Sequence, residues 1–182
     1  MIERFLTQAK RRRRVRRRPR TVLVLTLFGL GLIGLATLAR PAPWLVWNAS
    51  ASAPIGLYRV LPGKLVRGDL VLVNIPDSVR QLAAERSYLP QNVPLVKRVA
   101  ALDGDVICAA ADVISVNGRV VAERMARDRL GRPLPRWSGC LLLDGGEAFL
   151  LMEGLADSFD SRYFGPVPTA AIIGRLVPLW VE

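Results

Sequence analysis

The sequence contains no histidine, and this absence limits the chemistry that the chain can perform. A Ser-His-Asp triad, a histidine general base and a histidine-ligated metal site are all excluded within the chain. Hydrolysis would need a carboxylate pair, a metal held by carboxylates, or a serine activated by lysine. No metal or cofactor is suggested by any motif.

Lysine is almost as scarce, with three residues against 23 arginines. Lys64 follows a Pro-Gly turn, where we expect it to be solvated. Lys97 lies in a strand-like segment, 94–102, and period-two alternation places it on one face with Leu95 and Val99. Arginine does not lose its proton, whereas burial lowers a lysine pKa by up to about 3–5 units, enough for it to act as a base. The alternative is that Lys97 snorkels at a strand edge.

Acidic residues are few, 15 against 26 basic ones, and the formal net charge is +11. The excess lies almost entirely in residues 1–20, which hold ten of the basic side chains and one acidic side chain. The main domain is therefore nearly balanced, and we expect it to bind no nucleic acid. The basic tail is expected to determine topology and to bind anionic lipid. A DNA-binding tail is the alternative.

Residues 21–39 form an uncharged apolar run that nearly crosses a hydrocarbon core of about 30 Å. The run is longer than the apolar core of most signal peptides, and Arg40 and Pro41 interrupt the cleavage site that would follow it. We therefore predict an uncleaved single-pass anchor, with a cleavable signal peptide as the alternative. The N-terminus is then cytoplasmic and the rest lies outside, which for a Gram-negative bacterium means an anchor in the inner membrane and a domain in the periplasm, and Trp44 and Trp47 suit the membrane interface.

Two cysteines, Cys108 and Cys140, have no metal-binding spacing. In an exported domain a disulfide is the natural interpretation, and a loop of this length would stabilise the fold by about 3–4 kcal/mol. Two buried free thiols are the alternative.

The exported part, residues 40–182, is predicted to be one mainly β domain. The clearest local signal is Asn117-Gly118 between β-branched runs, which predicts a type I′ hairpin over 113–121. A short helix is predicted within 77–90, capped by Asp77. Residues 123–140 are rich in arginine and proline, which indicates a surface excursion. Short strands at this spacing predict an antiparallel sheet or a partly open barrel.

The stretch SASAPIGLYRV, residues 50–60, places two hydroxyls on a platform of small residues. Ser52 as nucleophile and Lys97 as base would make a Ser-Lys dyad, and small neighbours would let an extended peptide approach. Ser50 could direct its hydroxyl at the developing oxyanion, beside the Ser52 N–H. On composition alone, a linker between anchor and domain is the better explanation of the stretch.

Four segments in this order resemble the type I signal peptidase family. They are SASAPIGLYRV (50–60), RGDLVLV (67–73), VKRVAALDGD (96–105) and DSFDSRYFGPVP (157–168). The resemblance implies a membrane-anchored Ser-Lys endopeptidase with a β-rich catalytic domain, in which Ser52, Lys97 and Ser50 have the roles given above. It also implies that Ser158 orients the lysine and that Asp160 and Arg162 form an ion pair beside the site, with structural support the expected role.

The segment NASASAPIGLY, residues 48–58, resembles the conjugative-transfer (TraF-type) branch of that family. Pro54 comes one residue earlier after the nucleophile than in housekeeping enzymes. The resemblance implies maturation of a membrane-embedded pilin precursor for a type IV secretion channel, with the product ends joined in some members. The rival predictions are a general signal peptidase acting on secretory preproteins and a non-catalytic module of a secretion assembly.

Overall fold

The computed structural model describes residues 19–39 and 42–182, and the chain divides into two units, Met1–Pro41 and Ala42–Glu182. The first unit contains helix α1, Pro19–Ala39, whose 21 residues extend for about 31 Å at about 1.5 Å each. By length and composition, this helix is able to cross a membrane. The predicted basic tail falls, up to residue 18, outside the described residues.

The second unit is built mainly of β-strands. In chain order the strands are β1 (Leu45–Asn48), β2 (Gly56–Leu61), β3 (Leu70–Val73), β4 (Leu95–Ala101), β5 (Val106–Ala110), β6 (Val113–Val116), β7 (Arg119–Glu123), β8 (Gly139–Leu142), β9 (Glu147–Leu151), β10 (Val167–Pro168) and β11 (Ile172–Val181). Two short helices complete it, α2 (Asp77–Glu85) and α3 (Ser161–Phe164).

Seven of these strands form one antiparallel sheet, in the order β1-β2-β11-β3-β4-β9-β10. The other four form a second antiparallel sheet, in the order β7-β6-β5-β8. The prediction of a mainly β fold built on antiparallel pairing, preceded by one apolar helix, is confirmed. The long strand β11 joins two parts of the large sheet because it pairs with β2 on one side and β3 on the other.

The large sheet is buried on both faces at its centre. In β3, Val71 and Val73 belong to one apolar cluster, whereas Leu70 and Leu72 belong to another on the opposite face. All four residues are buried, which explains why this strand is continuously apolar instead of alternating. The central strands therefore give a rigid base for the side chains that β4 carries.

The small sheet contains the predicted hairpin and a disulfide. Asn117 and Gly118 connect β6 and β7 with φ angles of 50° and 78°, the left-handed values that a type I′ turn requires, so the hairpin prediction is confirmed. On the other side, Cys108 of β5 lies opposite Cys140 of β8, and a disulfide joins them. The disulfide thereby ties the end of the 123–140 excursion to the sheet.

The capping prediction for α2 is wrong in its detail. Pro76 occupies the N-cap position, and Asp77 is the first helical residue, with no side-chain hydrogen bond to the helix N-terminus. The reason is that proline already holds the backbone angles needed before a first turn, while the Asp77 carboxylate pairs with Arg80 one turn later. The helix itself falls within the predicted range.

Candidate active site

The loop between β1 and β2 holds the two predicted hydroxyls, and Asn48 organises it. The buried Asn48 amide donates to three backbone carbonyls of the loop, those of Ser50, Ala53 and Pro54, each at 3.0 Å. Its carbonyl oxygen accepts from the Ser50 N–H at 3.1 Å. The Tyr58 hydroxyl donates to the Pro54 carbonyl at 2.7 Å. The loop is thus folded around one amide side chain at the end of β1.

Ser50 and Ser52 interact directly with each other. Their Oγ atoms lie 2.6 Å apart, and the Ser52 N–H donates to Ser50 Oγ at 3.2 Å. The two groups predicted to hold an oxyanion are therefore bonded to each other in this state. To bind a substrate carbonyl, the Ser50 hydroxyl and the Ser52 N–H would have to give up these bonds and donate to the substrate oxygen instead.

Glycine is required where this loop enters β2. Gly56 has a φ of +153°, and a Cβ built on it would lie 2.1 Å from the Trp180 carbonyl oxygen of β11. Any larger residue would displace the β2–β11 pairing that supports the loop. The glycine therefore serves a close approach between two backbones.

Lys97 lies near the middle of β4 and is almost fully buried, with 4% of its surface exposed. Its Nζ donates to Ser158 Oγ at 2.7 Å, a contact between residues 61 positions apart. The neighbouring residues on its face of β4, Leu95 and Val99, belong to an apolar cluster. The interpretation of Lys97 as a lysine on an apolar strand face is confirmed, and the snorkelling alternative is wrong.

Burial lowers the pKa of Lys97 to about 8, because an apolar surrounding disfavours the ammonium form. The Asp160 carboxylate opposes this effect, Arg162 reinforces it, and Asp157 opposes it. A lysine with such a pKa is neutral in a fraction of the molecules near neutral pH and is still basic enough to accept a proton, which is the property that a general base needs. Among the described residues, Lys97 makes its hydrogen bond to Ser158 and none to Ser52.

Asp160 and Arg162 form a buried ion pair at the start of α3. The guanidinium donates to both carboxylate oxygens, at 2.8 and 3.0 Å, and both side chains have at most 2% of their surface exposed. Asp160 also accepts from the Met152 and Arg162 N–H groups, and it caps the helix. The guanidinium donates in addition to the carbonyls of Met152 and Glu123. The pair thus joins α3 to both sheets, which fits structural support.

A cleft of about 490 Å³ opens beside these groups. Ser50, Ser52 and Ser158 line one part of it. Residues from the excursion after β7 and from the turn after α2 line the other part, among them Met125, Asp128, Arg129, Leu130, Leu134 and Tyr88. The three predicted serines are therefore brought to a single cleft, and Lys97 reaches its edge through Ser158.

This geometry can be set beside known families. The family described as "Signal peptidase, peptidase S26" matches residues 17–180. The chain belongs to this family. The resemblance to type I signal peptidases, found in four short segments, is thereby confirmed.

Relatives of this S26 chain include proteins of plasmid transfer. The plasmid transfer protein TraF of Escherichia coli is 34% identical over 135 residues, which cover 69% of this chain and 76% of that protein. The conjugal transfer protein TraF of Agrobacterium fabrum is 34% identical over 144 residues, which cover 73% of this chain and 80% of that protein. Among solved structures, a signal peptidase I from Enterococcus faecalis has a TM-score of 0.36 and 21% identity, covering 63% of this chain and 98% of that one.

Sequence reasoning missed two supports of this S26 site. Asn48 stood inside the segment that suggested the conjugative branch, but its targets are backbone carbonyls, which leave no pattern in a sequence. The contribution of the 123–140 excursion to the cleft was missed because its arginines and prolines indicated only a surface loop. The cluster of Asp128, Arg129 and Arg132 in that excursion is the signal that could have suggested an ordered, ion-paired segment.

Proposed function

We propose that this chain is a membrane-anchored serine endopeptidase in which Ser52 is the nucleophile and Lys97 the general base. The observation that carries the proposal is a buried lysine with a lowered pKa at the edge of a cleft that two mutually bonded serines line. If the protein needed only a positive charge at this position, burying that charge in an apolar surrounding would merely lower the stability of the fold. A function that uses the neutral amine accounts for the arrangement.

The proposed reaction is acyl transfer. Neutral Lys97 takes the proton from Ser52 Oγ while that oxygen attacks the scissile carbonyl carbon of an extended peptide. Ser50 Oγ and the Ser52 N–H stabilise the resulting oxyanion. Lys97 then gives its proton to the leaving amine, and an ester to Ser52 remains. Water, or an amine of the substrate itself, attacks this ester and restores the Ser52 hydroxyl.

The Lys97 amine has to turn from Ser158 toward Ser52 for this reaction. Catalytic hydrogen bonds commonly form only in the complex with substrate, so a pairing with Ser158 in the free protein is compatible with the role of base. With a pKa of about 8, roughly a tenth of the molecules hold neutral Lys97 at pH 7. That fraction rises as the pH increases, and we expect the rate to rise with it.

We further propose that the substrate is a membrane-embedded pilin precursor of a conjugation system. The curated relatives named for plasmid and conjugal transfer support this assignment. In this proposal α1 spans the inner membrane with the N-terminus in the cytoplasm, and the β domain lies in the periplasm. The exposed rings of Trp47 on β1 and Trp180 on β11, 5.7 Å apart, would suit a membrane interface.

The test is the intact mass of the candidate pilin from cells that carry the wild-type chain or a variant. Wild type should yield a shortened pilin, and both Ser52→Ala and Lys97→Arg should leave the full precursor, since arginine keeps the charge but cannot act as a base. Lys64→Arg is the matched control because Lys64 is exposed, and it should process normally. A product lighter by one water than the linear fragment would show that its ends are joined.

Processing by Ser52→Ala would overturn the catalytic proposal and favour a non-catalytic module of a secretion assembly. The substrate assignment has a separate test, which is growth of cells depleted of their housekeeping signal peptidase. If this chain sustains such cells, the specialised assignment is wrong and a general signal peptidase is the better description. Failure to sustain them, together with pilin processing, supports the conjugative assignment.

A further inference from the structure

Residues 124–138, which we call the arm, leave the small sheet after β7 and return to it at β8. The arm forms its own tight hairpin: the Asp128 N–H donates to the Arg132 carbonyl at 2.9 Å, and the Leu134 N–H donates to the Ala126 carbonyl at 3.0 Å. The Arg132 guanidinium donates to the Asp128 carboxylate at 2.6 Å and lies 5.5 Å from the centre of the Tyr88 ring. The arm is therefore an ordered element.

Both ends of the arm are attached to α3, the helix that follows Asp160. At its first end the Met125 N–H donates to the Tyr163 hydroxyl at 3.1 Å. At its other end Trp137 Nε1 donates to the Ser161 carbonyl at 3.1 Å. The base of the arm is thus bonded to the helix that holds the buried ion pair. Its tip, Arg129 and Leu130, lines the cleft.

One ion pair joins the tip of the arm to another residue that lines the cleft. Arg129 donates to the carboxylate of Asp157, 28 positions further along the chain. Asp157 is directly followed by Ser158, which accepts the hydrogen bond from Lys97. The pair therefore joins the arm to the turn that carries the hydrogen-bond partner of the lysine.

We propose that Arg129 is a positioning residue for Lys97, acting through its ion pair with Asp157 to hold that carboxylate and the turn at Ser158 in place. This inference rests on the proposed function, since Lys97 has a role as base only there. The side chains of Arg129 and Asp157 are 82% and 44% exposed, so the pair contributes little to stability. Its effect should instead appear at the lysine.

Three charged side chains act on Lys97: Asp160, Arg162 and Asp157. Asp160 and Arg162 are bonded to each other in the core and act on the Lys97 pKa in opposite directions. Asp157 raises the pKa of Lys97, and its own partner is Arg129, outside the core. Arg129 is not itself one of these charges, so its removal should act by releasing the Asp157 carboxylate from the arm, which would let that carboxylate turn toward the Lys97 ammonium and raise the Lys97 pKa.

The scarcity of lysine makes a direct measurement feasible. In the full-length chain in detergent micelles, labelling lysine at ¹³Cε gives three signals to titrate by NMR, one of them from Lys97. Arg129→Gln should raise the Lys97 pKa by on the order of half a unit, and Asp157→Asn should lower it by a similar amount. Arg129→Lys keeps the charge and should restore the wild-type value.

The double variant Arg129→Gln with Asp157→Asn tests the route of the effect. In the Asp157→Asn background the change at Arg129 should no longer move the Lys97 pKa. Arg127→Gln is the matched control, because Arg127 lies in the same arm but donates to the Gly131 carbonyl within it. An unchanged Lys97 signal in Arg129→Gln, or an equal shift when Asp157→Asn is also present, would overturn the inference. The far-ultraviolet circular dichroism spectrum reports intact folding in each variant.

This measurement is independent of the proposed function, because it needs no substrate. If Ser52→Ala still processes pilin, the proposed function fails whatever the NMR titration gives. If Ser52→Ala is inactive and Arg129→Gln leaves the lysine unchanged, the inference alone fails. If both predictions hold, the pH at which pilin processing reaches half its maximal rate should be higher for Arg129→Gln than for wild type.

Discussion

Replacing Lys97 by methionine should stabilise the protein in a pH-dependent manner while it abolishes activity. Methionine keeps roughly the length of the side chain and removes the charge that the apolar surrounding disfavours. The lowering of the Lys97 pKa from 10.5 to about 8 corresponds to about 3 kcal/mol of destabilisation when the lysine is protonated in both states. The lost hydrogen bond to Ser158 offsets about 1 kcal/mol of this gain.

The direction of the pH dependence follows from the two pKa values. Below about pH 8 the folded and unfolded states both hold the proton, and the full penalty of burying the ammonium applies. As the pH rises toward 10.5, the folded state releases its proton first, and the wild-type chain becomes more stable relative to the variant. Between about pH 7 and pH 10 the free energy of unfolding of wild type should gain about 2 to 3 kcal/mol on that of the variant, so the variant's advantage of about 2 kcal/mol at pH 7 should be lost by about pH 10.

The assay is denaturant unfolding of the full-length chain in micelles, followed by tryptophan fluorescence, for wild type and Lys97→Met across this pH range. The difference between the two free energies of unfolding isolates Lys97, because other titrating groups are common to both chains. Lys64→Met is the control, and its difference from wild type should stay flat since Lys64 is exposed. A flat difference for Lys97→Met as well would refute a lowered lysine pKa and remove the physical basis for the proposed role of Lys97 as base.

Two further substitutions test the supports of the site. Asn48→Ala should leave the carbonyls of the serine loop without their shared donor, destabilise the domain by about 2–4 kcal/mol and lower pilin processing at least about tenfold, as measured by unfolding and by pilin mass. Gly56→Ala should destabilise by several kcal/mol because its Cβ would meet the Trp180 carbonyl, whereas Gly68→Ala, with φ +89° and open space around it, should cost only about 1 kcal/mol in the same unfolding assay. Equal losses for the two glycine variants would contradict the role given to the close β2–β11 approach.

The mainly β fold could be predicted because most strands carry their own signal. β4 and β9 are mostly apolar segments of the right length, and Asn117-Gly118 specifies its hairpin locally. β8 could not be predicted, since all four of its residues are exposed and no alternation marks them. This strand exists because β5 pairs with it and the disulfide holds it there, both of which are contacts between distant parts of the chain.

The residues of the candidate site also fall into two groups, those that could be found from the sequence and those that could not. Lys97 could be found because its side chain is chemically unlike the arginines that this chain uses nearly everywhere else. An amine on an apolar strand face is also expected to be buried, as Lys97 is, and burial lowers its pKa. Asn48 and Arg129 could not be found, because the first acts on backbone carbonyls and the second on a carboxylate 28 positions away. A residue that performs chemistry is recognised by its type, whereas a residue that positions another is recognised only from what the fold places beside it. The proposed roles of Ser52 and Lys97 therefore follow from their own residue types and from burial of the lysine, whereas the proposed effect of Arg129 on Lys97, through Asp157, could be found only from the fold.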